Sequence, residues 1–177
     1  MSSLRTVVAI LVVGGIAGGG WAYAQRSSGG VKPLTGADLA EIQQLHARYS
    51  QGWDFRDVEL YMSAYTDDGV FTTGAGEAFP GKKAIREYLI NGFNRGDSAE
   101  VTHNHVTPLI TATPEGAKGR VYWYTIRVIG GQPTIQGVGQ YNDTYVRTAD
   151  GWKMKSRTSV RGWQKRVWDP STATASR

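Results

Sequence analysis

The chain has 177 residues, 40% of them hydrophobic, with nine tyrosines and six tryptophans, which is apolar bulk for one core and little length for two. It contains no cysteine, which excludes disulfides, thiol nucleophiles and thiolate metal sites and gives no information about compartment. The formal charge of +5 is a mild basic excess, and its densest cluster, Arg161, Lys165 and Arg166 beside Trp163 and Trp168, reads as a solvated tail rather than a nucleic-acid or membrane contact.

The first feature in chain order is an export signal. Arg5 precedes an apolar run over residues 7–16, glycines follow, and Ala22-Tyr23-Ala24 supplies the small-x-small pattern that signal peptidase reads. Residues 1–24 are therefore expected to be a signal peptide, which places the mature chain in the periplasm or outside the cell. The rival reading is an uncleaved anchor, although the apolar run is short of the ~20 residues that span a bilayer. Residues 25–34, rich in Ser and Gly and interrupted by Pro33, read as a flexible linker.

The folded domain is expected over 35–163, with 164–177 as a C-terminal tail. Thr35 stands as an N-cap with Asp38 completing a capping box, and Leu39, Ile42, Leu45, Tyr49 and Trp53 recur at steps of three and four as one apolar stripe. Gly52 helps to end this helix. A second short helix is predicted over 58–65, stopped by a turn at Asp67-Asp68-Gly69, after which 70–72 reads as a first strand and Gly74 and Gly76 mark a loop. A third helix begins at Gly81, buries Ala84, Ile85, Tyr88, Leu89 and Phe93, and ends over 94–97.

From Val101 the period changes to that of strands, over 101–112, 119–129, 135–147 and 152–163. Three helices, one early strand and a four-stranded meander predict an α+β domain with the helices packed on one face of a mostly antiparallel sheet. Strands this long twist and curl, so the sheet wraps round the helices and can leave a pocket between the two layers.

Tyr49 and Asp54 fall at the end of the first helix, where side chains reach the mouth of such a pocket. His103 and His105 lie two apart on a strand, so both imidazoles point to one face. Alone, that pair has three readings: a metal site, an acid/base site, or ordinary polar packing. A metal would need further ligands, and the only other histidine is His46, with the acidic residues scattered. The acid/base reading gains from Asp54, because a carboxylate bonded to one ring nitrogen fixes the tautomer and leaves the other as a base. The Tyr49 hydroxyl is suited to donate to a developing oxyanion. His46, one turn before Tyr49, reads either as packing or as a pocket residue. Most other aromatics read as core, with Trp53, Tyr65, Trp123 and Tyr141 expected to line the pocket and favour flat apolar ligands.

The strings at 42–57 (IQQLHARYSQGWDFRD), 65–71 (YTDDGVF), 81–89 (GKKAIREYL), 102–110 (THNHVTPLI) and 139–152 (GQYNDTYVRTADGW), in this order and spacing, resemble the SnoaL-like branch of the nuclear transport factor 2-like superfamily. The resemblance implies a cone-shaped domain with a deep pocket, assembled as a homodimer or homotrimer through the outer face of the sheet. It is nearest to the scytalone dehydratase and bile-acid 7α-dehydratase type. Tyr49, Asp54 and His103 fall on the catalytic positions of that type, with His105 as the fallback for His103, while Pro108 stands where the family often has asparagine.

The activity this implies is a cofactor-independent lyase or dehydratase acting on a small cyclic or aromatic hydroxylated compound. His103 would be general base and acid, Asp54 its orienting partner, and Tyr49 the group that polarises the substrate oxygen. A variant of the same chemistry cleaves a carbon-carbon bond and expels a small aldehyde, and isomerisation needs the same base. The competing class is a non-enzymatic ligand-binding or assembly module. The expected partner is a small apolar or aromatic molecule; no metal, cofactor, nucleic acid or, after signal cleavage, membrane is expected.

Overall fold

The computed structural model describes residues 31–96 and 101–162. The expected signal peptide and C-terminal tail, and all but the end of the linker, lie outside the described residues.

Helix α1 spans Gly36–Asp54 and opens on a reciprocal cap: Asp38 N–H donates to the Thr35 hydroxyl at 3.1 Å and Thr35 N–H to the Asp38 carboxylate at 2.8 Å. The indole N–H of Trp152 at 2.9 Å, then the Thr35 groups, and more weakly Arg147 hold the Asp38 carboxyl well below the usual range. One side chain thus caps the helix and ties it to the far end of the sheet. Ile42, Leu45, Tyr49 and Trp53 form the buried stripe, but Leu39 is 37% exposed because Asp38 takes the inward position there. Gly52 does not end the helix. It lies inside it, where a Cβ would sit 2.5 Å from the backbone nitrogen of Tyr61, so its missing side chain is what lets the next helix press against α1.

Helix α2, Val58–Met62, is capped by the Asp57 carboxylate, which accepts Leu60 N–H at 2.9 Å. It is shorter than expected because Tyr65 already begins strand β1, Tyr65–Thr72. Asp67-Asp68-Gly69, expected as a turn before that strand, is a bulge within it: between the pairs Tyr65–Met154 and Val70–Ser156 the strand advances five residues while its partner advances two. A short strand β2, Ala78–Pro80, was not anticipated; it pairs back on β1. Helix α3, Gly81–Asn94, buries Ile85 and Leu89 and leaves Tyr88 and Phe93 partly covered.

Strands β3 (Val101–Thr113), β4 (Gly116–Ile129), β5 (Gln132–Thr148) and β6 (Gly151–Arg161) form the expected meander. The six strands stand in the order β2-β1-β6-β5-β4-β3, with β1 parallel to β6 and every other pair antiparallel. The result is an α+β domain in which three helices lie on a curved, unclosed sheet. Tyr61, Tyr65, Ile85, Leu89, Val121 and Met154 are each fully buried between the layers. At about 25 cal/mol per Å² of apolar area, this aromatic-rich layer is the main source of stability.

Strand β3 changes parity along its length. Val106 pairs with Tyr122 and the next pair is Leu109–Arg120, so one extra residue is accommodated at Thr107-Pro108, where Thr107 has φ 47°. Before this bulge odd positions face inward, including Val101 and His103. Beyond it Ile110 packs on the core while Leu109 is 59% exposed.

Candidate active site

The last residue of α1 and the third of β3 meet in a hydrogen-bonded pair. Asp54 Oδ1 lies 2.6 Å from His103 Nδ1, and Asp54 Oδ2 accepts the backbone N–H of the same histidine at 2.9 Å. An ionised carboxylate only accepts, so His103 donates from Nδ1, which in the neutral imidazole leaves Nε2 with a lone pair. His103 lines the main cavity, which Asp54 does not reach, and both residues line a second hollow on the other side of the pair. The edge of the Trp53 ring, 5.7 Å between centroids, keeps the imidazole in place.

That cavity has a volume of about 400 Å³. Tyr49, Trp53 and Tyr88 form its helix side, Phe71, Trp123 and Tyr141 its sheet side, and Thr73, Ser159, Gln136, Arg127 and Arg161 its polar rim. On its sheet side β5 contributes Gly137, and Gly139 lies beside it under the Trp123 ring. A Cβ on Gly139 would sit 2.6 Å from the Trp123 ring, so this glycine is what allows the indole to lie flat across the strand. A second hollow of about 410 Å³ opens between α1 and β3, on the Asp54 side of the pair.

Among the other sequence candidates, Tyr49, Trp53, Trp123 and Tyr141 line the cavity, with the Tyr49 and Tyr141 hydroxyls 3.5 Å apart. Tyr65 does not: it is fully buried against Tyr61 beneath the cavity, because β1 starts earlier than expected and carries it into the core. His105 shares the inward face with His103 but has no carboxylate. Its Nε2 is 3.4 Å from Ser50 Oγ and its Nδ1 is buried without a partner. Burial, then the charge of Arg157, hold its pKa well below the ordinary histidine value. His46 likewise does not line this cavity; both His46 and His105 line the second hollow.

His46 belongs to a closed buried ring that sequence reading missed. Arg157 is fully buried and donates from Nε and Nη2 to the two oxygens of Asp143 at 2.9 and 2.7 Å. Its Nη2 is also 2.8 Å from His46 Nδ1, which must accept; His46 Nε2 therefore carries hydrogen and faces the Tyr145 hydroxyl at 3.0 Å, which donates to Asp143 at 2.7 Å. Burial first, then the guanidinium charge, push the His46 pKa down to about 3. The guanidinium sits in the corner formed by the Tyr49 and Tyr141 rings, 4.2 Å from each centroid, so this ring props the cavity's aromatic wall from below. The signal available in sequence was the inward alternation of Tyr141, Asp143 and Tyr145, which places a carboxylate between two buried aromatics.

The sequence signature of the SnoaL-like domain matches residues 35–158. The chain belongs to the SnoaL-like domain family. The family includes polyketide cyclases and dehydratases, and its members are often enzymes. Similar solved structures include an NTF2-like protein with a cystatin-like fold from Novosphingobium aromaticivorans, 21% identical over 80% of this chain and 90% of that one, TM-score 0.65. Aln2 from a Streptomyces species is 20% identical over 73% of this chain and 94% of its own, TM-score 0.65. ActVI-ORFA from Streptomyces coelicolor is 23% identical over 70% and 96%, TM-score 0.62. At these identities the likeness establishes the fold, as the SnoaL-like resemblance of the sequence implied. No curated protein matches the chain.

Proposed function

We propose that this SnoaL-like protein is a cofactor-independent lyase of the dehydratase kind, acting on a small hydroxylated aromatic or cyclic compound. The observation that carries this reading is the Asp54–His103 pair, hydrogen-bonded at 2.6 Å, with His103 in the wall of a cavity of about 400 Å³. A module that only bound a ligand would need the cavity and not the oriented base.

His103 Nε2 removes a proton from the carbon next to the one bearing the hydroxyl. The C–H electron pair becomes the new C=C bond, the C–O bond breaks, and the leaving hydroxide takes the proton back from Nε2 and departs as water. The imidazole ends as it began. Asp54 holds the tautomer and stabilises the transient imidazolium, and the Tyr49 hydroxyl donates to the substrate oxygen on which charge develops. Trp53, Trp123 and Phe71 hold a flat ring against these groups. Expulsion of a small aldehyde by carbon-carbon cleavage requires the same base and acid.

The proposed setting is the periplasm or the exterior, after removal of residues 1–24, and N-terminal sequencing of the secreted protein should begin at Gln25. The proposed homodimer or homotrimer contact is the outer face of β3 to β5, where Val106, Leu109, Tyr122 and Ile135 stand exposed. The activity test is a panel of hydroxylated aromatic compounds followed by the absorbance of the conjugated alkene product. Turnover that is found with the wild type and persists in both His103→Ala and Asp54→Ala would overturn the proposal.

A further inference from the structure

We infer that the cavity selects substrates carrying a carboxylate, which Arg127 and Arg161 bind at the cavity rim. The inference rests on the lyase reading for its site and narrows the substrate from a hydroxylated aromatic compound to a hydroxylated aromatic acid.

Charge balance is the first argument. Arg127 and Arg161 both line the cavity, and no aspartate or glutamate does. Among the described residues neither arginine forms an ion pair, and the Nε of Arg127 is buried with no hydrogen-bond partner. The other buried polar atoms without a partner in the cavity wall are also donors, the indole nitrogens of Trp53 and Trp123. A buried donor left unpaired costs about 1–3 kcal/mol, so a wall that gathers donors and offers no anion is complementary to an anion brought by the guest.

Placement is the second argument. Arg127 follows Thr125 by two residues on β4, and Thr125 is the cross-strand partner of His103, so Arg127 lies one step along the same inward face. Arg161 pairs through Gly139 with Trp123, in the neighbouring row. Between the two arginines β5 contributes Gly137 and Gly139, whose missing side chains make room for the Trp123 indole that floors the cavity. Arg161 is held in place by a third glycine: a Cβ on Gly74 would lie 2.7 Å from its Cγ, so the stem lies flat on the turn after β1. The guest's aromatic ring lies between Trp53 and Trp123, its acid at the arginines and its hydroxylated carbon at His103. Arginine's planar fork suits a carboxylate in two-point contact.

The test is a titration by tryptophan fluorescence with 3-hydroxy-3-phenylpropanoate and, as the neutral control, its methyl ester. The wild type should bind the acid at least 10-fold more tightly than the ester. Arg127→Gln and Arg161→Gln should each weaken the acid about 10- to 100-fold and leave the ester unchanged. Arg161 is exposed, so Arg161→Gln keeps the test decisive if Arg127→Gln does not fold. Equal binding of acid and ester, or a preference that survives loss of either arginine, overturns the inference. His103→Asn should keep the acid preference while losing turnover. Turnover retained in that variant sinks the lyase reading alone, and loss of the acid preference in the wild type sinks the carboxylate site alone.

Discussion

Two histidine–aspartate clusters share this domain, and they use the same residue types to opposite ends. His46 and Asp54 sit on one helix, about 12 Å apart along its axis. In the first cluster His46, Arg157, Asp143 and Tyr145 close on one another, and both nitrogens of the imidazole are occupied. In the second, Asp54 takes both the ring N–H and the backbone N–H of His103, and no further protein group caps the imidazole among the described residues. A closed ring has no imidazole lone pair to offer a guest, whereas the open pair leaves one on a side chain that lines a cavity. Chemistry is therefore assigned by what is left unpaired and not by residue type.

The contrast is sharpened first by His103→Asn. It should lower turnover about 10²- to 10⁴-fold, the range for loss of a general acid/base, while the urea midpoint moves little. A variant that loses stability and keeps its rate would reverse the roles of the two clusters. Arg157→Leu, next in size, should cost about 3–5 kcal/mol in urea unfolding, because it strands the Asp143 carboxylate in the interior. An unchanged midpoint would show that the closed ring is dispensable.

Acid should act on the closed cluster by proton linkage. His46 has a native pKa of about 3, and burial holds His105 well below the ordinary value, while both titrate near ~6.5 once unfolded. The unfolded chain thus binds more protons below ~6.5, so stability is full above that pH. It falls by about 1.4 kcal/mol per pH unit for each histidine between there and its native pKa. His46→Gln should flatten this slope by roughly that amount, as followed by thermal unfolding from pH 7 to 4. The smallest effect is expected of Tyr145→Phe, which removes one hydroxyl from the ring and should cost about 1–2 kcal/mol with the rate at neutral pH unchanged.

The sequence made much of this legible, and the failures have one cause. The capping box at Thr35, the stripe from Ile42 to Trp53 and the meander were readable because each follows a fixed period or a local rule. The pairing of Asp54 with His103 was readable because one sits at a helix end and the other on an alternating strand. Bulges hid the rest. The extra residue at Lys155, between the pairs Thr144–Ser156 and Tyr145–Met154, shifts Arg157 onto the inward face, where alternation from Trp152 and Met154 would not place it. The five-for-two slip in β1 hid the early start of that strand and the burial of Tyr65. Arg127 gave no sign, and Arg161, read with Lys165 and Arg166 as a solvated tail, instead ends β6 at the cavity rim, because an arginine facing a hollow and one facing solvent look alike in sequence.

The kink at Thr107-Pro108 fixes which lengths of this chain are permissible. An imidazole at 103 and an isoleucine at 110, an odd number of positions apart, occupy one side of one strand only because a single surplus residue stands between them. Removing either Thr107 or Pro108 would force a choice, with the base turned out to water or an apolar anchor lost from the interior. The hairpin tip at Gly130-Gly131 carries no such obligation, so homologues should vary in length there and hold it constant at the kink.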